Sequence, residues 1–191
     1  TDQWLPGPGL PGIDREPNAM IVFDFDGPGP RQPELVVGGY SIEVAGSVRS
    51  QCIAIWNGTD WHPLNGNATR AFAFTTWDAD GAGPEPVRLV ASGEFDGVDS
   101  VAYWDGETWQ LIGQPAELPL SVTALATYDP DGPGSALPRL IATGSSGYSS
   151  GRVIVQWDGA HWVGLGAPFA SPYAPEIRAL TPFDPAAAGP A

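Results

Sequence analysis

The chain contains no lysine, a single cysteine, a single methionine and two histidines among its 191 residues. Each shortage removes a class of function. All 8 basic residues are Arg, set against 22 acidic ones, so the net charge is -14. A surface of that sign repels phosphate backbones and anionic lipid, which makes nucleic acid and membrane surfaces poor partners. It leaves cations, neutral glycans and basic proteins. The lone Cys52 has no internal partner for a disulfide, and its place in the apolar run Cys52-Ile53-Ala54-Ile55-Trp56 predicts a buried structural thiol. No apolar run approaches the ~20 residues that span a bilayer. The chain opens on Thr1 with neither Met nor a signal-peptide pattern, so a processed form or a fragment is expected. Metalloprotease, nucleophile-elbow, P-loop and cysteine-cluster motifs are missing, and His62 and His161 stand far apart in the sequence.

What the chain has in quantity is glycine (25), proline (21) and tryptophan (8). The tryptophans are ordered. Trp56-Asn57-Gly58-Thr59-Asp60-Trp61, Trp104-Asp105-Gly106-Glu107-Thr108-Trp109 and Trp157-Asp158-Gly159-Ala160-His161-Trp162 repeat one motif at a spacing of about 50 residues. The pairs Phe23-Asp24, Trp77-Asp78, Tyr128-Asp129 and Phe183-Asp184 recur at spacings of 54, 51 and 55. Four residues before each aromatic stands alanine (Ala19, Ala73, Ala124, Ala179), and three before stands Met20, Phe74, Leu125 or Leu180. This is a first strand, a. After it comes turn chemistry of the form D-x-D-G, then a strand b through Leu35, Leu89 or Leu140 that ends in glycine. Strand c leads into the Trp motif, Asn-Gly or Asp-Gly makes the turn, and strand d carries the second Trp.

Four antiparallel strands per repeat are the unit of a β-propeller blade. The expected fold is therefore all-β: a β-propeller segment over residues 1–191, with blades near 17–66, 70–118 and 120–168. A d strand near 1–12, carrying Trp4, and an a strand near 175–185 complete the pattern. Missing sequence or self-association would close the ring. In-phase Trp on paired strands predicts packing between blades rather than a ligand ladder.

Loop lengths separate two faces. Leu35 to Trp56 is 21 residues, Leu89 to Trp104 is 15 and Leu140 to Trp157 is 17, whereas the a–b and c–d offsets are constant. Variable b–c and d–a loops share one face, the expected binding face of a repeat protein. Its candidate ligand contacts are Tyr40, Glu43, Arg49, Glu94, Phe95, Asp96, Asp99, Tyr148 and Arg152, aromatics beside charges that suit a glycan or a protein. On the other face, Asp24, Asp26, Asp78, Asp80, Asp129 and Asp131 pair up in the D-x-D-G turns. Turn capping is their expected role. Calcium is the alternative, against its need for six to eight oxygens. No other cofactor is expected. Asn57-Gly58-Thr59 and Asn67-Ala68-Thr69 fit the N-glycosylation sequon.

These repeats resemble kelch-like propeller repeats, and more closely the W-D-G-x-x-W repeats of secreted and cell-surface bacterial proteins and of fungal cortical polarity markers. Gly38-Gly39-Tyr40 followed by Trp56 is similar to the kelch order of diglycine, Tyr and Trp. Ser92-Gly93 and Thr143-Gly144 depart from it. The resemblance implies an extracellular or surface setting. It does not carry a function, because kelch-like propellers include binding modules and oxidases. The expected function is non-catalytic recognition or adhesion. A propeller hydrolase or lyase acting on extracellular polysaccharide is the alternative, since loop carboxylates could supply an acid and a base. A structural module without a ligand is the third reading.

Overall fold

The computed structural model of the chain describes residues 12–40, 42, 44–45, 48–64, 66–119, 121–131, 135–145, 152–167 and 177–181. The fold is all-β. Its strands are β1 (Pro17–Phe23), β2 (Glu34–Gly39), β3 (Val44–Ala45), β4 (Val48–Arg49), β5 (Ile53–Trp56), β6 (Trp61–Pro63), β7 (Ala68–Trp77), β8 (Arg88–Phe95), β9 (Val98–Trp104), β10 (Trp109–Leu111), β11 (Ser121–Tyr128), β12 (Arg139–Ser145), β13 (Arg152–Trp157) and β14 (Trp162–Gly164). One 3₁₀ turn, Pro115–Glu117, is the only helical element among the described residues. The strands form three four-stranded antiparallel sheets in the orders β1-β2-β5-β6, β7-β8-β9-β10 and β11-β12-β13-β14, with β3 and β4 as a separate small hairpin. Of the expected d strand near 1–12, residues 1–11 lie outside the described residues, and Gly12 carries no strand assignment. Of the expected a strand near 175–185, residues 177–181 are described and carry no strand assignment.

The outer hairpins repeat closely. Each turn between the two Trp spans four residues, so that Trp56, Trp104 and Trp157 pair directly with Trp61, Trp109 and Trp162. Asn57 Oδ1 accepts the N–H groups of Thr59 (2.9 Å) and Asp60 (2.8 Å). Asp105 Oδ1 does the same for Glu107 and Thr108, and Asp158 Oδ1 for Ala160 and His161. These backbone bonds hold the Asp105 and Asp158 carboxyls below the usual range, because they favour the charged form. Glycine follows at φ 98°, 108° and 103°, a conformation that costs other residues strain. The indole pairs then lie 5.5, 5.5 and 5.6 Å apart.

The inner strands repeat a second device. β1, β7 and β11 each lose register at an equivalent residue, Asn18, Phe72 and Thr123 respectively, and β7 does so a second time at Thr69. A bulge leaves one residue unpaired and redirects the strand. Here it drives the preceding carbonyl against the glycine that ends strand b. A Cβ on Gly93 would lie 2.0 Å from Arg70 O, and one on Gly144 would lie 1.8 Å from Ser121 O. The bulged side chains then tie one repeat to the next. Asn18 Nδ2 donates to Ala71 O (3.1 Å), and Thr123 Oγ1 donates to Ile177 O (2.8 Å). β7 consequently lies against β1 on one side and β11 on the other.

Strand alternation sends successive side chains to opposite faces, and both faces of the middle sheet are buried. Leu89, Ala91, Ala102 and Trp109 pack on Phe23, Val36, Ile53 and Ile55 of the first sheet. Trp77, Val90 and Val101 pack on Leu125, Leu140, Ala142, Val155 and Trp162 of the third. Cys52 lies in the first of these cores, and burial pushes its thiol up to about 12.

Candidate functional site

On the side of the β2–β5 and β8–β9 connections, the first two sheets meet in a polar cluster. Tyr40 leaves the end of β2 and makes a lone β-bridge with Arg70 of β7. The Arg70 guanidinium lies 4.9 Å from the centre of the Tyr40 ring, and Arg70 Nη2 reaches Glu94 Oε2 at 3.2 Å. Thr69 Oγ1 donates to Glu94 Oε1 at 2.5 Å. Tyr40 is 56% exposed, so its ring is presented to solvent while its position is fixed from behind.

A second group adjoins it. Asp96 and Gly97 form the two-residue turn between β8 and β9, both with positive φ, at 50° and 80°. Asn67 Nδ2 donates to Asp96 Oδ2 (2.8 Å), and Asn67 O accepts Asp96 N–H (2.9 Å). Asn67 Oδ1 also accepts Trp109 N–H at 2.9 Å, so one asparagine joins the turn to the start of β10. At the corresponding place between the second and third sheets, Glu117 Oε2 accepts Trp162 N–H (3.1 Å) and Oε1 meets His161 Nδ1 (2.7 Å). The Trp162 N–H bond, followed by the histidine, lowers the Glu117 carboxyl, while the hydrogen bond that His161 donates to Glu117 raises the imidazole.

The sequence-derived contacts divide. Tyr40, Glu94, Asp96 and Asp99 lie on this side, Asp99 opposite Glu94 across the β8–β9 ladder. Phe95 is a correction: it is 1% exposed, with its ring 5.6 Å from Trp109, and is a core residue rather than a ligand contact. Arg49 is exposed on the β3–β4 hairpin. The backbone of Arg152 pairs with Ser145 at the start of β13. Glu43 and Tyr148 lie outside the described residues. Sequence reasoning missed Arg70 and Asn67 as site residues. The one charged side chain in β7 was the available signal for Arg70.

The aspartates of the β1–β2, β7–β8 and β11–β12 turns act on their own backbones. Asp26 Oδ2 accepts Arg31 N–H, Asp80 Oδ2 accepts Glu85 N–H and Asp131 Oδ2 accepts Ala136 N–H, each at 3.0 Å. Asp24 Oδ1 and Asp129 Oδ1 each accept the N–H two residues on, at 3.2 Å. In the middle turn, Asp78 Oδ1 and Asp80 Oδ1 are buried without a hydrogen-bond partner. Two carboxylates per turn fall short of a calcium shell. Among the described residues, no group of three or more His, Cys, Asp or Glu side chains is arranged to hold a metal.

No family model, no curated protein and no solved structure matches this chain. Three four-stranded antiparallel sheets and an aromatic–arginine–carboxylate cluster are what its geometry presents.

Proposed function

We propose that the chain is a segment of a kelch-like β-propeller of the W-D-G-x-x-W type that recognises a protein or a glycan, without catalysis, through the loops after its second and fourth strands. Three features support the architecture. The sheets stack face to face through alternating apolar faces. Their first strands lie side by side. Residues of β1, β7, β11 and the 178–180 segment line one cavity of about 520 Å³, the arrangement expected around a propeller axis.

The observation that carries the recognition reading is the Tyr40–Arg70–Glu94 cluster. An exposed aromatic ring backed by an ion-paired guanidinium presents an apolar plane beside hydrogen-bonding edges, and its fixed position limits the entropy lost on binding. The test is a glycan array together with capture of surface proteins, run with wild type and Tyr40→Ala. The reading expects a ligand whose affinity falls about tenfold in the variant, the scale of one stacked aromatic contact, with an unchanged melting temperature. A ligand bound equally by both proteins overturns the assignment. Release of soluble oligosaccharide from a polysaccharide panel would favour the hydrolase or lyase reading instead.

A further inference from the structure

A second surface lies on the side of the D-x-D-G turns. Between the β1–β2 and β7–β8 turns runs a groove of about 640 Å³ whose walls include Val22, Phe25, Pro28, Pro86 and Val87. Val22 is 62% and Val87 48% exposed, unusual for aliphatic side chains beside a preformed hollow. The walls are stiff. Phe25 makes an edge contact with Phe23 at 4.9 Å and lies 4.9 Å under the Arg31 guanidinium. Proline supplies much of the rest, and a rigid wall loses little entropy when a ligand seats on it.

The groove reflects one residue difference between repeats. Trp77 Nε1 donates to Pro138 O at 2.9 Å and bolts the second sheet to the third turn. Phe23 holds the same repeat position one sheet earlier and has no N–H to give. The first and second turns are left unbolted.

The rim is acidic. Asp24, Asp26 and Glu85 stand around the apolar floor. The nearby cations are engaged, since Arg31 pairs with Glu34 and Arg88 pairs with Glu85 at 2.5 Å and lies over the Tyr103 ring. Among the described residues no cation neutralises Asp24 or Asp26. An occupant must therefore fill an apolar trough and bring positive charge to its edge. We infer that this groove docks an extended protein segment in which an aliphatic side chain sits next to Arg or Lys. The site is distinct from the Tyr40 cluster, and neither reading depends on the other.

The test uses short fluorescein-labelled peptides followed by anisotropy against the full chain. One peptide alternates Arg with Leu, a second alternates Arg with Ser, and a third alternates Glu with Leu. The Arg–Leu peptide is expected to bind, and the other two at least about tenfold more weakly, the loss of one or two buried aliphatic groups or of charge complementarity. Val22→Ser with Val87→Ser weakens the Arg–Leu peptide about tenfold by the same apolar accounting. Asp24→Asn with Asp26→Asn keeps the turn-capping oxygens, weakens binding about threefold and flattens its salt dependence. Backbone amide shifts on wild type should cluster at residues 22–27, Glu85 and Val87, a readout that does not depend on any variant folding. Absence of binding overturns the proposal. So does equal binding of the Arg–Ser peptide, unaltered affinity in the valine variant, or shifts elsewhere, each of which would reveal only general attraction to an acidic protein.

Discussion

Gly38 and Phe74 offer the sharpest check on how the sheets stack. A Cβ placed on Gly38 would lie 2.5 Å from Phe74 Cζ and 2.8 Å from Ala71 Cβ, both on the facing sheet. At the corresponding register the second and third sheets carry Ser92 and Thr143, and at the position of Phe74 they carry Leu125 and, one repeat on, Leu180. The largest knob thus meets the smallest residue. Gly38 is not among the residues with positive φ, so alanine is compatible with its backbone and the substitution isolates packing. Overpacking of this kind costs about 1–3 kcal/mol, reduced by about 0.4–1 kcal/mol because alanine narrows the unfolded ensemble. A net loss near 1.5 kcal/mol lowers the melting temperature by about 3–6 °C in a chain of this size. Phe74→Leu alone costs about 1 kcal/mol of lost burial. The pair Gly38→Ser with Phe74→Leu recreates the second sheet's solution, so the double variant should recover at least about 1 kcal/mol relative to the sum of the two single changes. Urea titration followed by tryptophan fluorescence measures all five proteins: wild type, Gly38→Ala, and the Gly38→Ser, Phe74→Leu and double variants of the cycle. An unchanged midpoint for Gly38→Ala, or strict additivity in the cycle, would refute the knob-and-hole account.

The Glu117–His161 contact is pH-dependent. Because the imidazole is raised in the fold, its contribution is complete below about 6.5 and disappears as pH rises through the higher folded value. The lowered Glu117 contributes above its ordinary 4.5 and loses that contribution as pH falls through its folded value. The melting difference between wild type and His161→Gln should therefore be largest near pH 5–6 and shrink above neutrality; a difference that grows with pH would reverse the sign. Asp105→Asn keeps the acceptor that Asn57 supplies in the first repeat but loses the charge that these hydrogen bonds favour, and should melt between wild type and the alanine variant. Asp105→Ala, which leaves Glu107 and Thr108 N–H without that acceptor, should melt lower. Cys52, raised to about 12 and buried, should resist a thiol reagent until the first sheet opens, so labelling of native protein as fast as of urea-unfolded protein would contradict its burial.

The outer half of each sheet was legible because its geometry is local. The Trp-to-Trp spacing, the Asn or Asp cap and the following glycine sit within six residues, and each physical cause is visible in the residue types. The glycine closing each b strand was also visible, although its reason, a carbonyl pressed against it by a bulge, was not. Face assignment failed where that bulge intervenes. Side-chain parity shifts by one residue across a bulge, so β7 places Arg70 beside Tyr40, which simple alternation does not reveal. Phe95 was misplaced for a related reason. It stands just before a two-residue turn, where an exposed tip was expected, yet β8 continues to that turn and lays the ring on Trp109. Local chemistry can be read from one chain; the meeting of two sheets depends on register that only the assembled structure fixes.

Met20 is 63% exposed, whereas Leu125, at the same repeat position two sheets on, is 7% exposed. In a stack held by nearest-neighbour contacts, the cost of opening a layer is set by how many of its faces are covered. The middle sheet must break two apolar interfaces to open. The first breaks one that is described here, and it bears both Tyr40 and Val22. Its amides are therefore placed to exchange with solvent sooner than those of β8 and β9. Occupancy at either surface would then register as slower exchange in that one layer, a stiffening of its end of the stack without any displacement of the chain.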